Sequence, residues 1–308
     1  MSYQQLVESH NRLTYRDNVR MVAQQLQNPL RNAVTIVDGK GESMNVAQLF
    51  GKKTARRTPD RDRKNPDNPT PRSARWLVRP EAIEDGEYID NATKWDAAMD
   101  PTSHLFRASV AAVERGIFDC ILGIEQRQDG TFAIGTTGIL GSTRTGKRGE
   151  TVVALPGNQT IAHSSTGLTL DKLRSAKLRL NKADFGMESI DPMFALITPE
   201  QVDDLLGIAA AAGNNLNLLD VEQLKTGKPT PLLGLTWIVS NRVPTTAAGI
   251  RQVPLWTKAN VVAAFWQDLE GDIWNDPHAK NLPYIYNSAV VDATRIEDGG
   301  FIIIECQE

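Results

Sequence analysis

The segment from Asn32 to Pro80 sets the strongest limit on what this chain can fold into. It opens with two short strand-like pieces, AVTIV and MNVAQLF, passes through a run rich in Pro, Asp, Asn and Arg, and closes with RWLVRP. Prolines at 59, 66, 69 and 71 limit helix formation and central-strand pairing. A compact domain rarely carries so long a stretch without a core of its own, so the segment reads as an excursion rather than a domain. Paired as a hairpin, its strands would be marginal in isolation because a two-stranded ribbon buries too little, and they need a partner surface. From Gly51 to Trp76, Lys52, Lys53, Arg56, Arg57, Arg61, Arg63, Lys64, Arg72 and Arg75 stand against Asp60, Asp62 and Asp67. The segment is therefore +6 and, with the whole chain at -3, the remainder is -9.

The chain as a whole can build an ordinary core: it has 308 residues, 41% hydrophobic and 23% charged, a length that suggests about two domains. No stretch approaches the roughly 18 consecutive apolar residues of a membrane span. The N-terminus MSYQQLVESHNRL lacks the basic-then-apolar order of a secretion signal, so synthesis in the cytoplasm is expected. Cys120 and Cys306 have neither metal-ligand spacing nor partners for a disulfide framework and read as small buried apolar residues.

Helical spacing places Tyr3, Leu6, Val7, His10 and Leu13, then Val19, Val22, Ala23 and Leu26, on one or two amphipathic helices ended by Pro29. Such a stripe must dock on a domain or a neighbouring chain. A longer helix begins at Asp100-Pro101-Thr102, with Leu105, Ser109, Ala112, Val113, Gly116, Ile117, Cys120, Ile121 and Ile124 forming one face. A glycine-rich stretch, Gly130 to Gly149, precedes a strand TVVAL at 151 to 155. A helix follows from Thr169 to about Lys182, with Leu170, Leu173, Ala176, Lys177 and Leu180 on or beside one face. FALI at 194 to 197 reads as a strand, and Pro199 opens a helix ending near Leu206-Gly207. LTWIVSN, VVAAFW, YIYNSAVVDATRI and FIIIEC are strand candidates. The mixture is α+β, without the regular βαβ repetition of a doubly wound sheet.

Catalytic motifs are incomplete. Gly141 to Lys147 has the G-x-x-x-x-G-K spacing of a phosphate loop, but Arg148 stands where a magnesium-binding Ser or Thr belongs, and a strand follows where a helix should start. An NTP-binding enzyme built on residues 141 to 148 is therefore the weakest reading. His10, His104, His163 and His278 form no metal-binding pair, and no G-x-S-x-G elbow surrounds Ser164 or Ser165 beside His163. Asp203-Asp204 reads as a solvated helix face. No catalytic, cofactor or metal site is expected.

Several phrases occur in an order found in one branch of a known family: VALPGNQTIAHSSTGLTLDKLRSAK, FALITPEQVDDLLG, LLGLTWIVSNRVP and AVVDATRIEDGGFIIIEC. On these the chain resembles the tailed-phage major capsid proteins with the Hong Kong 97-like fold. The resemblance implies an N-terminal arm at 1 to 31 and an extended loop at 32 to 76. It implies a peripheral domain at 77 to 128 around a spine helix, with return strands at 268 to 294. An axial domain would span 129 to 267, with 295 to 308 rejoining it as its C-terminal strand. It also implies pentamers and hexamers of an icosahedral virion shell enclosing double-stranded DNA, held by its inner surface without sequence specificity. Portal, scaffold and decoration proteins would be further partners, with no membrane. The nine loop cations would then contact an acidic neighbouring subunit, and Leu6, Leu13, Val19, Val22 and Leu26 would serve assembly. An encapsulin-type compartment shares this fold and is the alternative. Some relatives begin with a long scaffolding segment that is later removed, whereas this chain starts almost directly at the arm.

Overall fold

The computed structural model describes residues 28–53, 55, 69–89, 102–185, 191–211 and 231–308. The expected N-terminal helices, with Leu6, Leu13, Val19, Val22 and Leu26, lie outside the described residues. So do Arg56, Arg57, Arg61, Arg63, Lys64 and the Asp100-Pro101 helix start.

The first elements are a one-turn helix α1 (Leu30–Ala33) and strands β1 (Thr35–Asp38), β2 (Ser43–Phe50), β3 (Arg72–Val78) and β4 (Ile83–Tyr88). Helix α2 (Thr102–Leu122) leads to short strands β5 (Ile124–Gln126), β6 (Phe132–Ile134), β7 (Thr143–Thr145), β8 (Thr151–Val153) and β9 (Thr160–Ile161). Then come α3 (Leu170–Lys182), β10 (Met193–Ile197), α4 (Pro199–Ala211), β11 (Leu235–Val239) and β12 (Arg251–Thr257). Two long strands, β13 (Val261–Asp276) and β14 (Leu282–Arg295), precede the last strand, β15 (Phe301–Cys306).

The chain forms two compact units, one of residues 1–28, 81–117 and 267–290, the other of 29–80, 118–266 and 291–308. In the first, β4 pairs antiparallel with β14 from Ile83↔Ala289 to Tyr88↔Tyr284. Helix α2 covers one face of this pair: Asn287 Nδ2 donates to Ser109 Oγ at 2.8 Å. A Cβ on Gly116 would come within 2.5 Å of Ile83 Cγ2, so a side chain there would push the helix off the strand. Ala111, Val113, Ile117, Ile285 and Ala289 are buried here.

The second unit is organised by a five-stranded sheet in the order β11-β10-β12-β15-β9. Leu173, Ala176 and Leu180 of α3 and Leu205 of α4 pack with Ala195, Ile197, Val253, Leu255, Ile302 and Ile304 of its strands into one core. Helix α3 starts as expected at Thr169, whose side chain accepts from the Lys172 amide. Helix α4 starts on Thr198, whose amide donates to Gln201 Oε1 at 2.8 Å, with Pro199 in the first turn.

Several boundaries differ from expectation: the TVVAL strand ends at Val153, and the VVAAFW strand runs on to Asp276. Helix α2 stops at Leu122, short of Ile124, because Gly123 takes φ +74° and a Cβ there would lie 1.7 Å from the Thr137 carbonyl oxygen. Helix α4 runs past Gly207 to Ala211, since one glycine costs only about 1 kcal/mol and IAAA follows it. The FALI strand begins one residue earlier, at Met193.

Candidate functional site

Strands β2 and β3 form an antiparallel ribbon from Ser43↔Val78 at its base to Phe50↔Arg72 at its outer end, with an irregularity between Asn45 and Ala47. The pairing continues one step outward, where the Gly51 amide donates to the Pro71 carbonyl at 2.8 Å. Among the described residues only the base has a sheet neighbour: β3 meets β7 at Trp76↔Arg144, and β7 pairs with β8. Trp76 fixes that junction, donating from Nε1 to the Gly146 carbonyl at 2.8 Å. Phe50 at the outer end is 63% exposed, and the Arg72 guanidinium lies 5.6 Å from its ring centre. A groove of about 660 Å³ runs along this face, lined by Leu49, Phe50, Arg72, Trp76, Gly146 and Lys147.

Four of the nine loop cations fall on described residues. Lys52 is paired with Asp184 of its own chain, which raises its pKa through the hydrogen bond and the neighbouring charge. Lys53 and Arg72 are exposed, and Arg75 is half-buried with Nη1 donating to Ser73 Oγ at 3.1 Å. The ribbon thus gathers Lys52, Lys53 and Arg72 around its outer end, while Arg75, opposite Ala47, sits next to Trp76 near the base. Phe50 and Trp76, which carry its apolar surface, were not singled out by sequence reasoning; the alternation of SMNVAQLF was the available signal.

The glycine-rich motif is a β-hairpin. Residues 143–145 pair with 151–153, Gly146 and Gly149 have positive φ, and no helix starts after Lys147. Its turn lies against Trp76, whose Cβ is 3.0 Å from where a Cβ on Gly149 would stand. His163 closes a local turn, its Nδ1 accepting from the Ser165 amide at 3.0 Å, with Ser164 and Ser165 both at positive φ. Among the described residues no three His, Cys, Asp or Glu side chains gather as metal ligands. Burial pushes both the Cys120 and the Cys306 thiols up to about 12, which keeps them protonated and unreactive.

The second unit also contains buried charges that hold its parts in register. Arg295 is fully buried, its Nε bonded to Asp298 at 2.7 Å and its Nη1 donating to the carbonyls of Ile139 and Gly141. Lys172 donates to three carbonyls, those of Thr166, Gly167 and Glu305, at 2.7 to 2.9 Å. Arg242 grips Asp119 with Nε and Nη2 and lies 4.5 Å over the Phe132 ring. Asp292 is buried, and desolvation raises its carboxyl to about 6 despite hydrogen bonds from backbone amides and the charge of Arg144.

Lys172 and Arg295 lock turns and strands together through backbone carbonyls. The family model for phage capsid proteins matches residues 7–308. No curated protein matches. Solved structures agree on the fold. The capsid of an empty GTA particle aligns with TM-score 0.68 at 17% identity, covering 95% of this chain and 94% of that one. The cyanophage P-SCSP1u capsid gives 0.64 at 11%, covering 96% and 94%. Mycobacterium phage Bobi gives 0.65 at 10%, covering 99% and 98%. The chain belongs to the phage capsid protein family and has the Hong Kong 97-like fold of tailed-phage major capsid proteins.

Proposed function

We propose that this subunit assembles into pentamers and hexamers that close into an icosahedral shell around double-stranded DNA. The observation that carries the reading is the β2–β3 ribbon. Among the described residues its outer end has no sheet neighbour and exposes Phe50, and it belongs to a segment, residues 51–76, of net charge +6. Such an element gains order from what it touches, and the capsid family supplies a neighbouring copy.

In this reading residues 1–31 are the arm and 32–76 the extended loop. Residues 77–128 and 268–294 form the peripheral domain; 129–267 and 295–308 form the axial domain. Lys52, Lys53, Arg56, Arg57, Arg61, Arg63, Lys64, Arg72 and Arg75 face a neighbouring subunit, and Leu6, Leu13, Val19, Val22 and Leu26 dock the arm. Packaged DNA, a portal, a scaffold and decoration proteins complete the partners. Lys52 exchanges its pairing with Asp184 for the neighbour on assembly.

Electron microscopy of the expressed protein, with extraction of nuclease-protected nucleic acid from native particles, tests this. Closed shells containing double-stranded DNA are expected. A monodisperse subunit under all assembly conditions would refute the shell, and shells filled with protein cargo would turn the reading to an encapsulin-type compartment.

A further inference from the structure

Helix α3 carries two lysines in contrasting surroundings. Lys172 is buried, and its ammonium donates to the carbonyls of Thr166, Gly167 and Glu305, so it is held charged with every N–H in use. Lys177 is half-buried on the same helix, and the acceptor its Nζ meets is Met193 Sδ at 3.2 Å. A thioether is a weak acceptor and carries no charge. Among the described residues Lys177 is in no ion pair, and the Asp171 carboxylate of the same helix is bonded to Arg174 at 3.3 Å. Burial without a counter-charge lowers the Lys177 pKa, so more of this amine is neutral than on an exposed lysine.

The amine lines a groove of about 510 Å³ together with Asp171, Arg174, Leu178 and Asn181 of α3 and Leu233 from the turn before β11. Its ionisable groups are Asp171, Arg174 and Lys177, and β10 contributes the uncharged Met193. Arg174, Lys177, Leu178 and Asn181 recur at three- and four-residue intervals and so share one helix face. Two leucines on this groove are in contact with water, Leu178 at 54% and Leu233 at 38% exposure. Leu233 is held there by its turn: the Leu235 amide donates to the Leu232 carbonyl at 3.0 Å, and Leu233 takes φ 56°, an unfavourable value for leucine, before Gly234 at φ 77°. The groove therefore combines apolar walls, a guanidinium and an amine that lacks a counter-ion.

We infer that Lys177 is a modification site, at which the amine takes a short acyl group from an acyl phosphate. The Nζ lone pair attacks the acyl carbon, and the C–N bond forms as the C–O bond to phosphate breaks. The phosphate leaves with that electron pair and takes up, through solvent, the proton that Nζ releases. Arg174, one turn before Lys177, offers its guanidinium to the phosphate, and Leu178 and Leu233 give the acyl chain an apolar wall. The product amide is uncharged, so it suits a half-buried place without a counter-ion better than an ammonium does. The inference concerns a single subunit and goes beyond the shell reading.

The test treats the full-length, unassembled subunit with acetyl phosphate at about pH 7.5 and follows each lysine over time by peptide mass spectrometry. Lys177 should be acetylated roughly fivefold faster than the exposed Lys53, Lys147, Lys182 and Lys280. Asn181→Asp sets a carboxylate on the same groove, one turn after Lys177, and holds the amine charged. In this near-isosteric variant, found folded by circular dichroism, the rate at Lys177 should fall to that of the exposed lysines while theirs stay unchanged. Equal rates at Lys177 and the exposed lysines in the native subunit overturn the inference, and so does a lead that survives Asn181→Asp. The labelling is read on subunits in solution, so its outcome is separate from the test of the shell.

Discussion

Replacing Asp292 by Asn should stabilise the isolated subunit at neutral pH and remove a pH dependence between about pH 4 and 6. Asp292 is buried, and its carboxyl is raised from 3.8 to about 6, chiefly by desolvation. A native-state pKa above the unfolded value means that the folded form holds the proton more tightly. The protonated carboxyl favours folding fully below about pH 4, and that advantage is lost as pH rises through about 6. At roughly 1.4 kcal/mol per pH unit, the charged form costs the folded state about 3 kcal/mol at pH 7. Asparagine is nearly isosteric, carries no charge, and keeps an oxygen that can accept from the Ala293 amide, which Asp292 now receives at 2.9 Å. The extra amide hydrogens need a partner, so the net gain should be about 1 to 2 kcal/mol. Urea denaturation followed by circular dichroism at several values from pH 4 to 8 measures it. A wild-type stability that rises from pH 4 to pH 7, or a variant that is less stable at pH 7 but equal at pH 4, would refute the reasoning.

Lys172→Met should destabilise the subunit by about 2 to 4 kcal/mol in urea denaturation, because the carbonyls of Thr166, Gly167 and Glu305 lose a charged donor together. Lys147→Ala, at an exposed position of the 146–150 turn, should shift stability by less than about 0.5 kcal/mol and leave assembly unchanged. Isothermal titration of the wild type with ATP and magnesium should give no saturable heat, whereas binding abolished by Lys147→Ala would restore the phosphate-loop reading.

Elements whose signal is local were legible in the sequence. Thr169 caps α3 and Pro199 opens α4 because capping and first-turn proline chemistry act within one turn. FIIIEC is a strand because four consecutive apolar residues suit a strand buried on both faces. Strand β12 was not read, although it lies in the middle of its sheet, because Pro254 interrupts RQVPLWT. The ladder to β10 begins only at Leu255, so on that side the proline displaces no bond. The outer half of β13, QDLEGDIWND, was missed because Gly271, Asn275 and four acidic residues are types depleted in strands. Lys172 and Arg295 look like surface cations by type, and only the fold brings carbonyls from distant segments around them. The same holds for the stacked rings of Tyr88 and Tyr284: they lie nearly two hundred positions apart, and the pairing of β4 with β14 joins them.

The division of labour between these groups explains why a capsid subunit would bury some charges and leave others in water. Inside the second unit, Arg295, Lys172 and the Asp119–Arg242 pair bind turns to strands with several charge-assisted bonds each, so loss of one partner costs several kcal/mol. These contacts keep a single subunit folded before it has any neighbour. Lys52, Lys53 and Arg72 of the ribbon, by contrast, are exposed, and an exposed ion pair contributes below about 1 kcal/mol and is screened by salt. A single ribbon contact would therefore be too weak to trap a misplaced subunit. In the proposed shell every copy would give one ribbon and receive one, so the weak terms would act together through mass action. Assembly on such contacts is reversible at each early step and cooperative at closure. It follows that moderate salt should slow the first associations far more than it loosens finished shells.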